Sequence, residues 1–120
     1  KKRFVFNDLN IRVPSLRQVK YGDRRADGKG KVPSDVWEFP RVCGTFHERT
    51  EHPCQMPEEV LDRIILTCSN PGMTVFDPFA GSGTTLASAK RLGRIGVGTE
   101  TSEKFCKIGA DRLAKIKVRK

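Results

Sequence analysis

Val75-Phe76-Asp77-Pro78-Phe79-Ala80-Gly81-Ser82-Gly83-Thr84-Thr85 is the stretch on which the fold turns. A short β-branched and aromatic run ends on an acid, a Gly-x-Gly turn follows, and a helical pattern begins inside it. The spacing predicts a strand, a tight loop and a helix. Glycines at 81 and 83 let the backbone turn sharply and come close to a ligand. The helix behind them offers unpaired N–H groups. Seventeen residues after Gly83 stands Glu100, at the end of a second apolar run, Ile95-Gly96-Val97-Gly98-Thr99. An acid at the tip of the next strand is where α/β nucleotide folds hold ribose hydroxyls. A pyrophosphate-binding fingerprint needs a third glycine, and Leu86 occupies that place. A ligand with a ribose and no phosphate fits better, and a dehydrogenase half fits worse.

The run from Asp77 to Thr85 resembles the S-adenosylmethionine motif of DNA amino-methyltransferases, which methylate adenine N6 or cytosine N4. His52-Pro53-Cys54-Gln55-Met56-Pro57 resembles the block that precedes this motif in one permuted class. Leu92-Gly93-Arg94-Ile95-Gly96-Val97-Gly98-Thr99-Glu100 resembles the block on the C-terminal side of the motif. Three blocks in this order cover residues 34 to 116. Ser34-Asp35-Val36-Trp37 also recurs in that family. Met56 stands where the family often has Lys.

The resemblance implies a partial Rossmann-like α/β fold with an incomplete parallel sheet, and S-adenosylmethionine as cofactor. Asp77, Phe79, Gly81 and Gly83 would line the cofactor, with Thr84 or Thr85 nearby. Glu100 would take the ribose hydroxyls, and His52 and Gln55 would flank the methionine. The family's catalytic loop is Asp, Asn or Ser followed by Pro-Pro and an aromatic. It accepts hydrogen bonds from the target amino group and stacks on the flipped base. No Pro-Pro dipeptide occurs in these 120 residues. No catalytic residue is therefore assigned, and the chain is expected to be the C-terminal portion of such an enzyme. Its opening without Met fits a fragment or a processed piece. A non-catalytic module that binds S-adenosylmethionine and DNA remains the alternative.

Composition agrees with a nucleic-acid partner. The formal net charge is +9, and residues 1–31 carry ten Lys or Arg against three Asp. A basic end on a nearly balanced body suits a polyanion, nucleic acid first, although a solvated tail has the same composition; the resemblance implies double-stranded DNA. Within it, Lys20, Arg24, Arg25, Lys29 and Lys31 lie in a glycine-bearing polar stretch over 20–33. They are the candidates for phosphate contact, against a plain linker. Residues 1–50 are taken as the end of a DNA-recognition region, and 51–120 as the cofactor-binding half.

Cysteines stand at 43, 54, 68 and 106, with no Cys-x-x-Cys pair. Reduced thiols and a cytoplasmic location are the simple expectation. No apolar run reaches the length of a membrane span. Cys43, His47, His52 and Cys54 form a zinc-type ligand set, but in an order that fits no common module. No metal site is therefore assigned.

Short strands are expected over 3–6 and 10–13, and an extended segment over 34–40 with Trp37 as a packing anchor. A helix is expected from Pro57 to about Cys68. Its apolar face, Val60, Leu61, Ile64, Ile65 and Cys68, is expected to lie on the sheet. Further helices are expected after Gly83, closed by Gly93, and after Thr101 or Ser102, with Phe105, Ile108, Gly109, Leu113 and Ile116 facing inward. Sheet strands absent from this chain would leave the 74–77 strand with an apolar, unpaired edge. Pairing with another subunit, self-association or a loosely folded chain is the expected consequence.

Overall fold

The structure is a computed structural model and describes residues 4–118. Its centre is a β-α-β-α unit. Strand β1 (Thr74–Asp77) leads through the glycine turn into helix α3 (Thr84–Arg91). Strand β2 (Ile95–Gly98) follows and leads into α4 (Glu103–Lys115). The strands pair in parallel, with Thr74 opposite Ile95 and Asp77 opposite Gly98. Parallel pairing brings the C-terminal ends of both strands, and the loops after them, to one side.

Helix α3 lies close on this sheet because both surfaces are small. A Cβ on Gly96 would stand 3.0 Å from the Cα of Leu86, and one on Gly98 would stand 2.9 Å from a Leu86 methyl carbon. On the helix, Ala87, Ser88 and Ala89 are fully buried. Gly93, at φ 77°, supplies the left-handed residue just past the helix end, as its place in the sequence leads one to expect.

Before the unit come α1 (Leu16–Tyr21) and α2 (Glu58–Cys68). Glu58 and Glu59 complement the positive start of α2. Pro57 is its cap rather than its first residue. Helix α2 packs chiefly on α3 and on a 3-10 turn at Asp8–Ile11, not on the sheet. Ile65 is buried on its inner side, whereas Ile64 and Cys68 are exposed. Charge explains this arrangement. Arg91 of α3 bonds Asp62 of α2 at 2.7 Å and pairs with Glu58, so a polar seam fixes the rotation of α2. Arg112 of α4 closes the seam on Glu58 at 2.5 Å.

The N-terminal expectations need correction. Residue 3 lies outside the described residues, and no strand forms over 4–6 or 10–13. Asp8–Ile11 is a 3-10 turn instead, and Val13 makes one isolated antiparallel bridge to Lys31. Asn7 explains the difference, because its backbone N–H bonds Thr67 O at 2.8 Å and its side chain bonds Ser69 O at 3.0 Å. The segment is spent on capping the C-terminal carbonyls of α2 and is not free to pair as a strand. Lys20 belongs to α1, so the expected loop begins after Tyr21. Trp37 and Phe39 meet edge to face and flank the guanidinium of Arg63, which lies 5.0 and 4.7 Å from their centroids. That contact ties the 34–40 segment to α2.

Only one face of the sheet is covered. Phe76, Ile95 and Val97 point away from α3 and are 60%, 57% and 45% exposed. The expected apolar surface is thus a whole face as well as an edge. No helix is long and apolar enough to cross a membrane among the described residues.

Candidate functional site

The loop after β1 is shaped by its own acid. Asp77 Oδ1 accepts the Phe79 N–H at 3.0 Å, and Oδ2 accepts the Thr85 hydroxyl at 2.5 Å. Both carboxylate oxygens therefore act inside the turn, from strand end to helix start. Gly81 and Gly83 sit at φ 54° and 76°, where other residues are strained. Behind Gly83 the fit is tight: a Cβ would stand 3.3 Å from the Cα of Gly109 in α4, which would have to give by a few tenths of an ångström. Gly109 in turn is the buried residue of that helix.

Glu100 leaves the end of β2 and reaches back to the turn. Its Oε2 accepts the Gly81 N–H at 2.9 Å, and its Oε1 accepts the Ser102 N–H at 2.8 Å. The Ser102 bond does most to hold the carboxyl below its ordinary range. Burial opposes that shift, and the Gly81 bond adds to it. Oε1 also accepts the Thr101 hydroxyl, at 3.4 Å, so the lone pair left for a further donor such as a ribose hydroxyl is on Oε2.

His52 comes from the loop before α2 and lies under the turn. A Cβ on Gly81 would stand 3.0 Å from His52 Nε2. His52 Nδ1 accepts the Cys54 N–H at 3.2 Å, which puts the proton of the neutral ring on Nε2. Gln55 is held by its surroundings. Its Oε1 accepts the N–H and hydroxyl of Thr50, each at 2.8 Å, and its Nε2 donates to Glu48 O at 2.6 Å. The side chain thus braces the 48–55 loop, leaving fewer atoms for a ligand than its type suggests.

Two cavities meet at Ala80 and Gly81. One, of about 290 Å³, is lined by His52, Gln55, Asp77, Phe79, Gly81, Thr84 and Thr85, with Cys54, Met56, Leu61, Ala80 and Ser82. The other, of about 180 Å³, is lined by Gly81, Gly83 and Glu100, with Leu86, Phe105 and Cys106 among others. The nine cofactor candidates thus fall on two sides of one glycine turn. Phe79 is 88% exposed at its rim. The sequence marks Ser102 and Phe105 only as a cap and a packing residue. The signal that could have found them is their place in the first turn after Glu100. A roomier cleft of about 600 Å³ lies over the ion-pair seam at Glu58, Arg91 and Arg112 and contains none of the candidates.

None of the basic candidates lines these cavities: Lys20 lies in the last turn of α1, and the other four lie on the closed loop after it. Arg12 ties it by bonding Asp8 at 2.8 Å, Asp27 at 2.6 Å and Gly30 O at 3.1 Å. Lys20, Arg24, Arg25, Lys29 and Lys31 are all exposed. Arg25 is paired with Asp23 at 3.0 Å. Lys20, Arg24, Lys29 and Lys31 have no ion-pair partner among the described residues. All four cysteines are free thiols and exposed. Among the described residues, no group of three or more His, Cys, Asp or Glu is placed to hold a metal.

A family model described as a DNA methylase, of the N6/N4 methyltransferase type, matches residues 1–111. DNA adenine methyltransferase YhdJ of Escherichia coli (strain K12) is 48% identical over 141 aligned residues, covering 99% of this chain and 47% of YhdJ. Type II methyltransferase M.ScaI of Streptomyces caespitosus is 41% identical over 110 residues, covering 88% of this chain and 36% of that protein. The crystal structure of the M1.HpyAVI–SAM complex superposes with a TM-score of 0.61 at 27% identity, over 94% of this chain and 45% of that one. The chain spans less than half the length of each of these proteins.

Proposed function

The chain belongs to the N6/N4 DNA methylase family, and from that premise we propose that it is the cofactor-binding part of a DNA methyltransferase acting on an exocyclic amino group. The observation that carries this reading is the glycine turn. Gly81 separates a cavity holding Glu100 from one holding His52, Gln55 and Asp77. S-adenosylmethionine suits such a divided site, with the ribose on Glu100 and the methionine end beside His52 and Gln55. When bound, it supplies the electrophilic methyl group. The M1.HpyAVI structure, with SAM in its name, supports the choice of cofactor.

The residues of this chain bind and orient. Glu100 stays ionised and accepts a ribose hydroxyl on Oε2, while the weak Thr101 contact on Oε1 gives way to the second hydroxyl. Asp77 holds the turn in shape through Phe79 and Thr85. The turn keeps the cofactor at the strand ends, where positioning rather than proton transfer makes most of the rate. The acceptor of the amino hydrogens comes from a Pro-Pro-aromatic loop outside these residues, on the same or a second polypeptide. Residues 1–50 form the end of the DNA-recognition region and 51–120 the cofactor half. Double-stranded DNA meets the exposed Lys20, Arg24, Arg25, Lys29 and Lys31. Alone, this chain binds cofactor and does not turn over.

A non-catalytic module that binds S-adenosylmethionine and DNA is the second reading, since one fold serves several functions. Calorimetric titration of the chain with S-adenosylmethionine tests the shared premise. Binding that weakens in Glu100→Ala is expected. No binding by a folded chain overturns the proposal. Methylation of DNA after adding a polypeptide that carries the loop separates the enzyme part from the module.

A further inference from the structure

The first turn of α4 reaches Gly81 by two routes. Ser102 donates its N–H to Glu100 Oε1 at 2.8 Å, while Oε2 of the same carboxylate holds the Gly81 N–H at 2.9 Å. Three residues on, the ring of Phe105 meets His52 edge-on, with centroids 4.5 Å apart and planes at 61°. His52 is the ring on which Gly81 rests, its Nε2 lying 3.0 Å from where a Cβ would stand. On its other edge His52 is fixed by the Cys54 N–H at 3.2 Å. Phe105 lines the smaller cavity and His52 the larger.

We propose that Phe105 is a positioning residue for the cofactor, which sets the height of the Gly81 turn by holding His52 beneath it. The inference rests on the S-adenosylmethionine reading above. It adds a link between the two cavities, because one helical turn governs both the acid in the first and the imidazole in the second. The Phe105–His52 contact is edge-to-face, a geometry with its own attraction beyond area buried. An aliphatic residue of similar volume keeps the packing of α4 and loses that orientation. The His52 ring then swings about its single hydrogen bond, and Gly81, which has no side chain of its own to brace it, moves with the ring.

The test is a double-mutant cycle on the whole chain. Phe105→Leu and Phe105→Met remove the ring, Phe105→Tyr keeps it, and His52→Ala removes the residue it acts through. Two signals are read: the Gly81 amide in ¹H–¹⁵N spectra without cofactor, and the affinity for S-adenosylmethionine by calorimetry. Phe105→Leu is expected to move the Gly81 amide and weaken binding by about two- to tenfold. Phe105→Tyr is expected to leave both near wild type. In the His52→Ala background, Phe105→Leu is expected to add less than about twofold, since coupled residues do not add. Equal losses in both backgrounds, or weakened binding with an unmoved Gly81 amide, overturn the proposal. Loss of the fold in both ring-less variants also overturns it, in favour of a packing role. If the wild-type chain binds no S-adenosylmethionine, the cofactor reading falls, and the Gly81 amide alone decides whether Phe105 positions the turn.

Discussion

The carboxylate of Glu100 accepts the backbone N–H of Gly81 at 2.9 Å, joining the end of the second strand to the turn after the first. An acid read as a ligand for ribose is therefore also a brace for the loop that faces the ligand. Glu100→Ala is expected to lose both roles and weaken S-adenosylmethionine binding by about tenfold or more, as for loss of charged hydrogen bonds. Glu100→Gln keeps the shape and is expected to fall between. The Ser102 and Gly81 N–H groups hold the carboxyl below its ordinary range. Affinity should then show no Glu100 inflection near pH 4.5 and should fall only at lower pH. Calorimetry across pH reads this directly.

Gly81 and Gly83 differ in what stands behind them. Behind Gly81 is the His52 side chain, and behind Gly83 is the backbone of Gly109. Either residue replaced by Ala carries the left-handed penalty of ~1–2 kcal/mol. Gly81→Ala is expected to lose cofactor affinity and melt a few degrees lower. Gly83→Ala must also move α4, and is expected to melt lower still. Thermal melts beside titrations distinguish them; equal melting points would mean that α4 gives way easily.

Helices α2, α3 and α4 share the charges Glu58, Asp62, Arg91 and Arg112, each about a quarter exposed or less. Burial alone would raise the Glu58 carboxyl, but hydrogen bonds from Arg91 and Arg112 outweigh it and hold it low. A carboxyl depressed in the folded state stabilises above its unfolded value and loses that contribution as pH falls through the folded one. Acid melting of the chain is thus expected to begin below about pH 4.5. Arg112→Met leaves Glu58 with one partner and is expected to cost ~2–3 kcal/mol at neutral pH. A smaller acid-dependent component in Glu58→Gln, read from melts across the acid range up to neutral pH, checks the assignment.

Phe76 and Val97 stand opposite each other on the uncovered sheet face. Phe76→Lys is expected to leave circular dichroism unchanged, since the side chain is already 60% exposed. It should reduce self-association measured by sedimentation. A more stable oligomer in the variant would mean that copies meet elsewhere.

The basic loop predicts a salt signature. Lys20, Arg24 and Lys29 have no ion-pair partner among the described residues, whereas Arg25 already faces Asp23. Arg24→Ala is expected to weaken DNA binding more than Arg25→Ala. Each true phosphate contact removed should lower the slope of log affinity against log salt by about 0.9. Filter binding at several salt concentrations measures both.

The β-α-β-α unit is legible in the sequence because its signals are local. Alternation of small and apolar residues, Gly-x-Gly and a capping serine each act within a few positions. Asp77 and Glu100 can be located, but their bonds to Thr85 and Gly81 cannot, since these depend on how strands pair. The N-terminal segment misleads because nothing nearby in sequence announces that Asn7 caps α2 some sixty residues later. The rotation of α2 is hidden in the same way. Its apolar stripe is plain, but the Arg91 and Arg112 that hold its charged side inward lie on other helices.

Ile65, Ala87 and Ala89 are the only hydrophobic residues fully buried among those described. So slight an interior, beside a sheet face left bare, makes the chain's stability a property of its surroundings. Whatever covers Phe76, Ile95 and Val97 adds a binding term to the folding equilibrium, and the melting point rises with its concentration. Removing that cover would leave these residues open more of the time, and faster proteolysis would report it.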